Sequence, residues 1–153
     1  SAAEMHDAVT GQARHSDVVI MAAAVSDFRP HQSADRKIKK EDAPATLRLE
    51  RTVDILKELG KSGEKPLLVG FAAETDDVEQ NALKKLRDKN LDLIVVNDLL
   101  RHGSGFGSDT NAVTMIERSG KRHEVPTLPK AEVAAKIMNV VVELIKHGTS
   151  AVP

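Results

Sequence analysis

The sequence contains no cysteine, no tryptophan and no tyrosine. The first absence excludes disulfides, thiolate metal sites and a cysteine nucleophile. Three phenylalanines make up the whole aromatic content, so stacking platforms for single-stranded nucleic acid are missing. Excess charge is missing too: 22 Lys and Arg stand against 23 Asp and Glu, a net charge of −1, which gives no basic field to attract nucleic acid. No apolar run reaches bilayer length, and the longest, Val18–Val25, is strand-sized. The start of the chain has no basic segment followed by an apolar one and does not read as a signal peptide. The expectation is a cytoplasmic protein with neither membrane nor nucleic acid as partner. A nucleotide ligand would be a small one held in a pocket.

What is present is enough for one domain: 153 residues, 41% of them hydrophobic. Ser1-x-x-Glu4 has the form of a capping box and predicts a helix to about Arg14. Three continuous apolar runs, Asp17–Ala24, Leu67–Ala72 and Leu91–Val96, predict strands buried on both faces of a parallel sheet. Arg29–Pro44 is charged and aperiodic and reads as a loop or flap; Thr46–Arg51 alternates like a short half-exposed strand. Thr52 is positioned to cap a helix carrying Ile55, Leu56 and Leu59 and ending at Gly60 or Gly63. Asp76-x-x-Glu79 starts another, with Val78, Ala82, Leu83 and Leu86 on its apolar side.

Leu99–Asn111 reads as a glycine- and serine-rich loop. Ala112–Glu117 and His123–Val125 form an expected hairpin turning at Ser119-Gly120. Pro129 suits the first turn of a final helix whose stripe is Val133, Ala134, Ile137, Val140, Val141, Leu144 and Ile145. Residues 1–147 are expected to be one domain and 148–153 a tail. Helices alternating with buried strands predict an α/β fold, Rossmann-like, with a mostly parallel sheet flanked by helices, a flap insertion, and a C-terminal hairpin and helix.

In open α/β sheets ligands bind beyond the carboxyl ends of the strands. The first strand delivers Ser26, Asp27, Phe28 and Arg29; the second carries Phe71 and delivers Ala73, Glu74 and Thr75; the third delivers Asn97 and Asp98. Each polar residue alone is as readily a cap or turn residue, but their joint placement outlines one rim. Lys37-Ile38-Lys39-Lys40 is either a solvated run or a flap lysine reaching a triphosphate. Lys85 and Lys89, at i and i+4, share a helix face that is either ordinary outer surface or part of a site. His102 has no partner at metal-ligand spacing, and neither GxGxxG nor GxxxxGKS/T occurs.

Five segments, in order, resemble the phosphopantothenoylcysteine synthetase family. Ala22-Ala23-Ala24-Val25-Ser26-Asp27-Phe28-Arg29-Pro30 resembles its AAAVADFRP segment, and Lys37–Lys40 its KIKK motif. Val69–Thr75 matches VGFAAET, Leu91–Asp98 matches LDLIVVND, and Phe106–Asn111 matches FGSDxN. The family often has Asn-Pro-Asp where this chain has Thr52-Val53-Asp54. It also begins with a strand, a glycine-rich turn and a segment bearing a catalytic asparagine, and nothing in this sequence matches them.

The resemblance implies a CTP-dependent phosphopantothenate–cysteine ligase of coenzyme A biosynthesis, N-terminally incomplete here. Its partners would be 4'-phosphopantothenate, cysteine and CTP, with Mg²⁺ accompanying the triphosphate; FMN would belong only to a fused decarboxylase domain. It implies Lys37 as the catalytic flap lysine. The CTP contacts it implies are Met21, Ala22, Ala23, Asp27, Lys37, Val53, Asp54, Ile55, Leu56, Phe71, Lys85 and Lys89. A homodimer is expected. Two other readings stand beside it: a non-catalytic nucleotide-binding and dimerisation fragment, and an NAD(P)-dependent reductase, which the missing GxGxxG disfavours.

Overall fold

The computed structural model describes residues 1–32, 34, 36–42, 46–74, 77–98 and 108–147. Most of the expected Leu99–Asn111 loop lies outside the described residues, as do Thr75, Asp76 and the 148–153 tail. The chain opens with α1 (Ala2–Ala13), where the Ser1 hydroxyl accepts from the Glu4 amide and the Glu4 side chain reaches back to the Ser1 amine. Then come β1 (Val18–Met21), β2 (Phe28–Pro30), β3 (Leu49–Arg51), α2 (Ile55–Leu59), β4 (Leu67–Glu74), α3 (Val78–Asp88) and β5 (Leu93–Asp98). A hairpin of β6 (Thr110–Glu117) and β7 (Arg122–Pro129) leads into α4 (Lys130–His147).

Five strands form one sheet in the order β1-β4-β5-β6-β7. β1, β4 and β5 run parallel, whereas β6 and β7 are antiparallel. β2 and β3 form a separate antiparallel ribbon, with Phe28 opposite Arg51 and Pro30 opposite Leu49.

The continuous apolar runs serve both faces of the sheet, as a two-sided burial requires. Leu68, Ile94 and Val96 join Ala13, Leu56 and Leu86 in one core; Val69, Leu93 and Val95 join Val133, Ile137 and Val141 in the other. Gly70 sets how closely α2 approaches the sheet. A Cβ there would stand 2.7 Å from Leu91 Cδ1 and 3.3 Å from Leu56 Cδ1.

Several local expectations need correction. The first strand ends at Met21, three residues early, and stands at an edge of the sheet with Ile20 exposed. It still meets both cores, Val19 and Met21 packing into one and Val18 against the other, but its burial is partial. Arg29 and Pro30 of the expected flap belong, with Phe28, to a strand held by pairing to residues 49–51 rather than by burial. Asp54, not Thr52, caps α2, its side chain accepting from the Lys57 amide at 3.1 Å. Pro129 ends β7 instead of starting the last helix. On α4, Ala134 and Ile145 face outward, and the buried residues are Val133, Ile137 and Val141.

Candidate functional site

β1 ends at Met21, opposite Gly70, while β4 and β5 run on to Glu74 and Asp98, and a cavity of about 240 Å³ opens beyond the end of β1. β1 contributes Met21 and the following chain Ala23, Ala24, Val25, Ser26 and Asp27. The end of the ribbon and the start of α2 contribute Thr52, Val53, Asp54, Ile55 and Leu56; β4 contributes Phe71, and α3 contributes Lys85 and Lys89. Of the expected nucleotide contacts, the cavity thus gathers Met21, Ala23, Asp27, Val53, Asp54, Ile55, Leu56, Phe71, Lys85 and Lys89. Ala22 and Lys37 are not in its lining.

Each element places its residues for a local reason. β1 stops at Met21, opposite Gly70, so Phe71 extends past the last β1 pair and stays 39% exposed. The exposed side of α3 carries Lys84, Arg87 and Asp88, whereas Lys85 and Lys89 are half-buried. Their face is thus distinct from the solvated one, which helical spacing alone did not decide. Lys89 is held further by a close approach of backbones: a Cβ on Gly60 would fall 2.0 Å from the Lys89 carbonyl oxygen. The Lys89 ammonium pairs with the Asp54 carboxylate at 3.0 Å.

By its position before α2, Thr52 is expected only to cap the helix. Its hydroxyl instead donates to the Ser26 carbonyl at 2.5 Å, and its amide donates to the Asp27 carbonyl at 2.9 Å. The two chain segments that line the cavity meet at this residue.

Lys37 is exposed on the long connection between β2 and β3. Its neighbour Ile38 lines a second cavity, of about 470 Å³, with His31, Leu47 and Arg48. At the ribbon, hydrogen bonds from His31 and, next, Arg29 hold the Glu50 carboxyl below its ordinary pKa. Arg51 lies over the Phe28 ring, 5.2 Å from its centroid.

Among the described residues no three His, Asp or Glu side chains gather as a metal site. Among the described residues the cavity has two acidic ones, Asp27 and Asp54. Asp54 is engaged by the Lys57 amide and by Lys89, which leaves Asp27 as the carboxylate suited to a cation. Mg²⁺ keeps several waters and needs one or two carboxylates besides substrate phosphates. The described lining therefore fits a cation that a bound phosphate would also hold.

Residues 1–145 match the family described as DNA/pantothenate metabolism flavoprotein C-terminal domain. The coenzyme A biosynthesis bifunctional protein CoaBC of Bacillus subtilis is 51% identical over 147 residues, covering 96% of this chain and 36% of that protein. A cysteine/cysteine sulfinic acid decarboxylase from an unidentified prokaryote is 46% identical over 146 residues, covering 95% of this chain and 41% of that protein. Among solved structures, the C-terminal domain of a CoaBC protein superposes with a TM-score of 0.77 at 41% identity, covering 96% of this chain and 64% of that one. The chain therefore spans well under half the length of these curated relatives.

Proposed function

This chain belongs to the DNA/pantothenate metabolism flavoprotein C-terminal domain family, and we propose from that premise that it is the CTP-binding part of a phosphopantothenate–cysteine ligase in coenzyme A biosynthesis. The observation that carries the reading is the pair of half-buried lysines, Lys85 and Lys89, in a cavity at the carboxyl edge of a parallel sheet. Two ammonium groups facing one cavity, that of Lys89 shared with Asp54, suit an anionic ligand, and the edge is where α/β sheets take nucleotides.

The proposed reaction has two steps. A carboxylate oxygen of 4'-phosphopantothenate attacks the α-phosphorus of CTP and displaces pyrophosphate, leaving an acyl-cytidylate. The amine of cysteine then attacks the acyl carbon, loses a proton, and releases CMP as the amide forms. Met21–Ala23 would lie against the nucleotide through their backbone, and Phe71 would pack on it. Val53–Leu56 would border it from the start of α2. Lys85 and Lys89 would hold its anionic oxygens, and Asp27 would meet the nucleotide or the Mg²⁺ it carries. That cation would supply charge neutralisation on the phosphates. Lys37 would be brought by the ribbon to counter charge as pyrophosphate leaves.

A homodimer formed through residues 29–51 is part of the proposal. The apolar side chains of Ile38, Leu47 and Leu49 are exposed there, and a two-stranded ribbon is marginal alone. A cytoplasmic location is proposed with it; no helix among the described residues is long and apolar enough to cross a membrane. The share of its relatives that the chain spans favours a second reading, in which this chain alone holds the nucleotide without turning it over.

The test is pyrophosphate release from CTP and 4'-phosphopantothenate, measured on the longest polypeptide carrying this chain. Lys37→Ala should slow it by about 10²–10³, the usual cost of removing a donor aimed at developing charge, while Lys39→Ala should not. Equal rates for both variants and the parent would remove Lys37 from the mechanism.

A further inference from the structure

The two segments that line the cavity are far apart in sequence, because the whole ribbon and its long connection separate residue 27 from residue 52. One residue joins them. Thr52 donates its hydroxyl to the Ser26 carbonyl and its amide to the Asp27 carbonyl, so two consecutive carbonyls are fixed by a single partner. A trans peptide carries its N–H opposite its C=O, and no cis peptide bond occurs among the described residues. Fixing the Ser26 carbonyl therefore also fixes the direction of the Asp27 N–H, and fixing that of Asp27 fixes the Phe28 N–H. The turn is closed from its other side by Ser26, whose hydroxyl donates to the Phe28 carbonyl at 2.7 Å. Asp54 already caps α2, so the Thr52 hydroxyl has no capping duty.

We propose that Thr52 is a positioning residue: it clamps the Ala23–Asp27 turn to the start of α2 and so presets the nucleotide cavity. The proposal rests on the nucleotide reading of that cavity. Thr52 acts through the peptide groups it orients and need not touch the ligand. The clamp also sits at the root of the ribbon, immediately after the Phe28–Arg51 pair, so it fixes where the ribbon leaves the domain.

Two substitutions separate this role from simple packing. Thr52→Val keeps the branched shape and the backbone N–H but removes the hydroxyl donor; Thr52→Ser keeps the donor and removes a methyl group. Calorimetric titration of the chain with CTP should show Thr52→Val weakened about tenfold, the scale of one lost hydrogen bond. Thr52→Ser should stay within about twofold on the same scale. A packing residue would show the reverse order, because serine loses more apolar contact than valine. CTP binding by Thr52→Val equal to that of the parent would overturn the clamp. If the parent chain itself does not bind CTP, the nucleotide reading falls and amide hydrogen exchange decides the clamp. Faster exchange across Ala23–Asp27 in Thr52→Val than in Thr52→Ser upholds it, and equal exchange in the two overturns it.

Discussion

The Asp54 carboxylate serves two partners at once, capping α2 through the Lys57 amide and pairing with the Lys89 ammonium 3.0 Å away. It ties the beginning of one helix to the end of another across the cavity. The two roles separate by substitution. Both side chains are partly exposed, so the ion pair contributes at most about 1 kcal/mol, whereas losing an N-cap costs ~1 kcal/mol by itself. Asp54→Asn keeps the capping acceptor and should cost less than about 1 kcal/mol in urea unfolding. Asp54→Ala loses both and should cost about 1–2 kcal/mol. Equal losses in the two variants would mean that the cap contributes nothing.

At the opposite end of β5 the structure has a different kind of carboxylate. Asp92 is 1% exposed, accepts from the Leu68 amide at 2.8 Å and from Lys65, and lies 3.2 Å from Arg118 Nε. Removing one member of a buried charge cluster strands the others, which typically costs about 3–5 kcal/mol. Asp92→Ala should fall in that range by chemical denaturation, and Asp92→Asn, which still accepts from Leu68, should cost less. Because Asp92 is remote from the cavity, any variant that stays folded should bind nucleotide as the parent does. A loss under about 1 kcal/mol in Asp92→Ala would contradict the role of the cluster.

His6 supplies a pH-dependent contact. Hydrogen bonds to Asp7 first, and then to Glu58 on α2, raise its pKa above the ordinary imidazole value. A raised folded-state pKa stabilises the protein below the unfolded-state pKa, and that contribution disappears as pH rises through the folded value. Titration of the His6 ring by NMR should show the elevation. Asp7→Asn should reduce it more than Glu58→Gln. An ordinary pKa in the parent protein would contradict the contact.

The parts of the fold that were legible in the sequence are those whose signal is local. Ser1 and Glu4 complete a capping box within one turn. Leu93–Val96 must be apolar on both faces because cores lie on both sides of β5. Thr52 and Asp54 are both good N-cap types two residues apart, so local chemistry alone could not choose between them. Phe28-Arg29-Pro30 has no strand signature, and its conformation comes from pairing with residues distant in sequence. The hairpin's second strand was read too short because it contains Pro126 and Pro129, which an edge strand such as β7 tolerates.

The expected rim of strand ends is met in part: Ser26, Asp27 and Phe71 line the cavity, whereas Phe28, Arg29, Ala73 and Asn97 are not in its lining. Helical spacing placed Lys85 and Lys89 on one face but could not say whether that face met water or a cavity. The clamp at Thr52 was invisible because its partners are backbone carbonyls, and any residue types at 26 and 27 would offer them.

Nucleotide binding by the chain itself is the direct test of the cavity. Titrate CTP and NADPH into the parent chain, Lys85→Ala and Lys89→Ala under identical salt. CTP should bind more tightly than NADPH. Each lysine substitution should weaken CTP by about 10- to 100-fold, the range for a lost charge-assisted hydrogen bond. NADPH binding as tight as CTP, or CTP affinity unchanged by both substitutions, would contradict the assignment of this cavity.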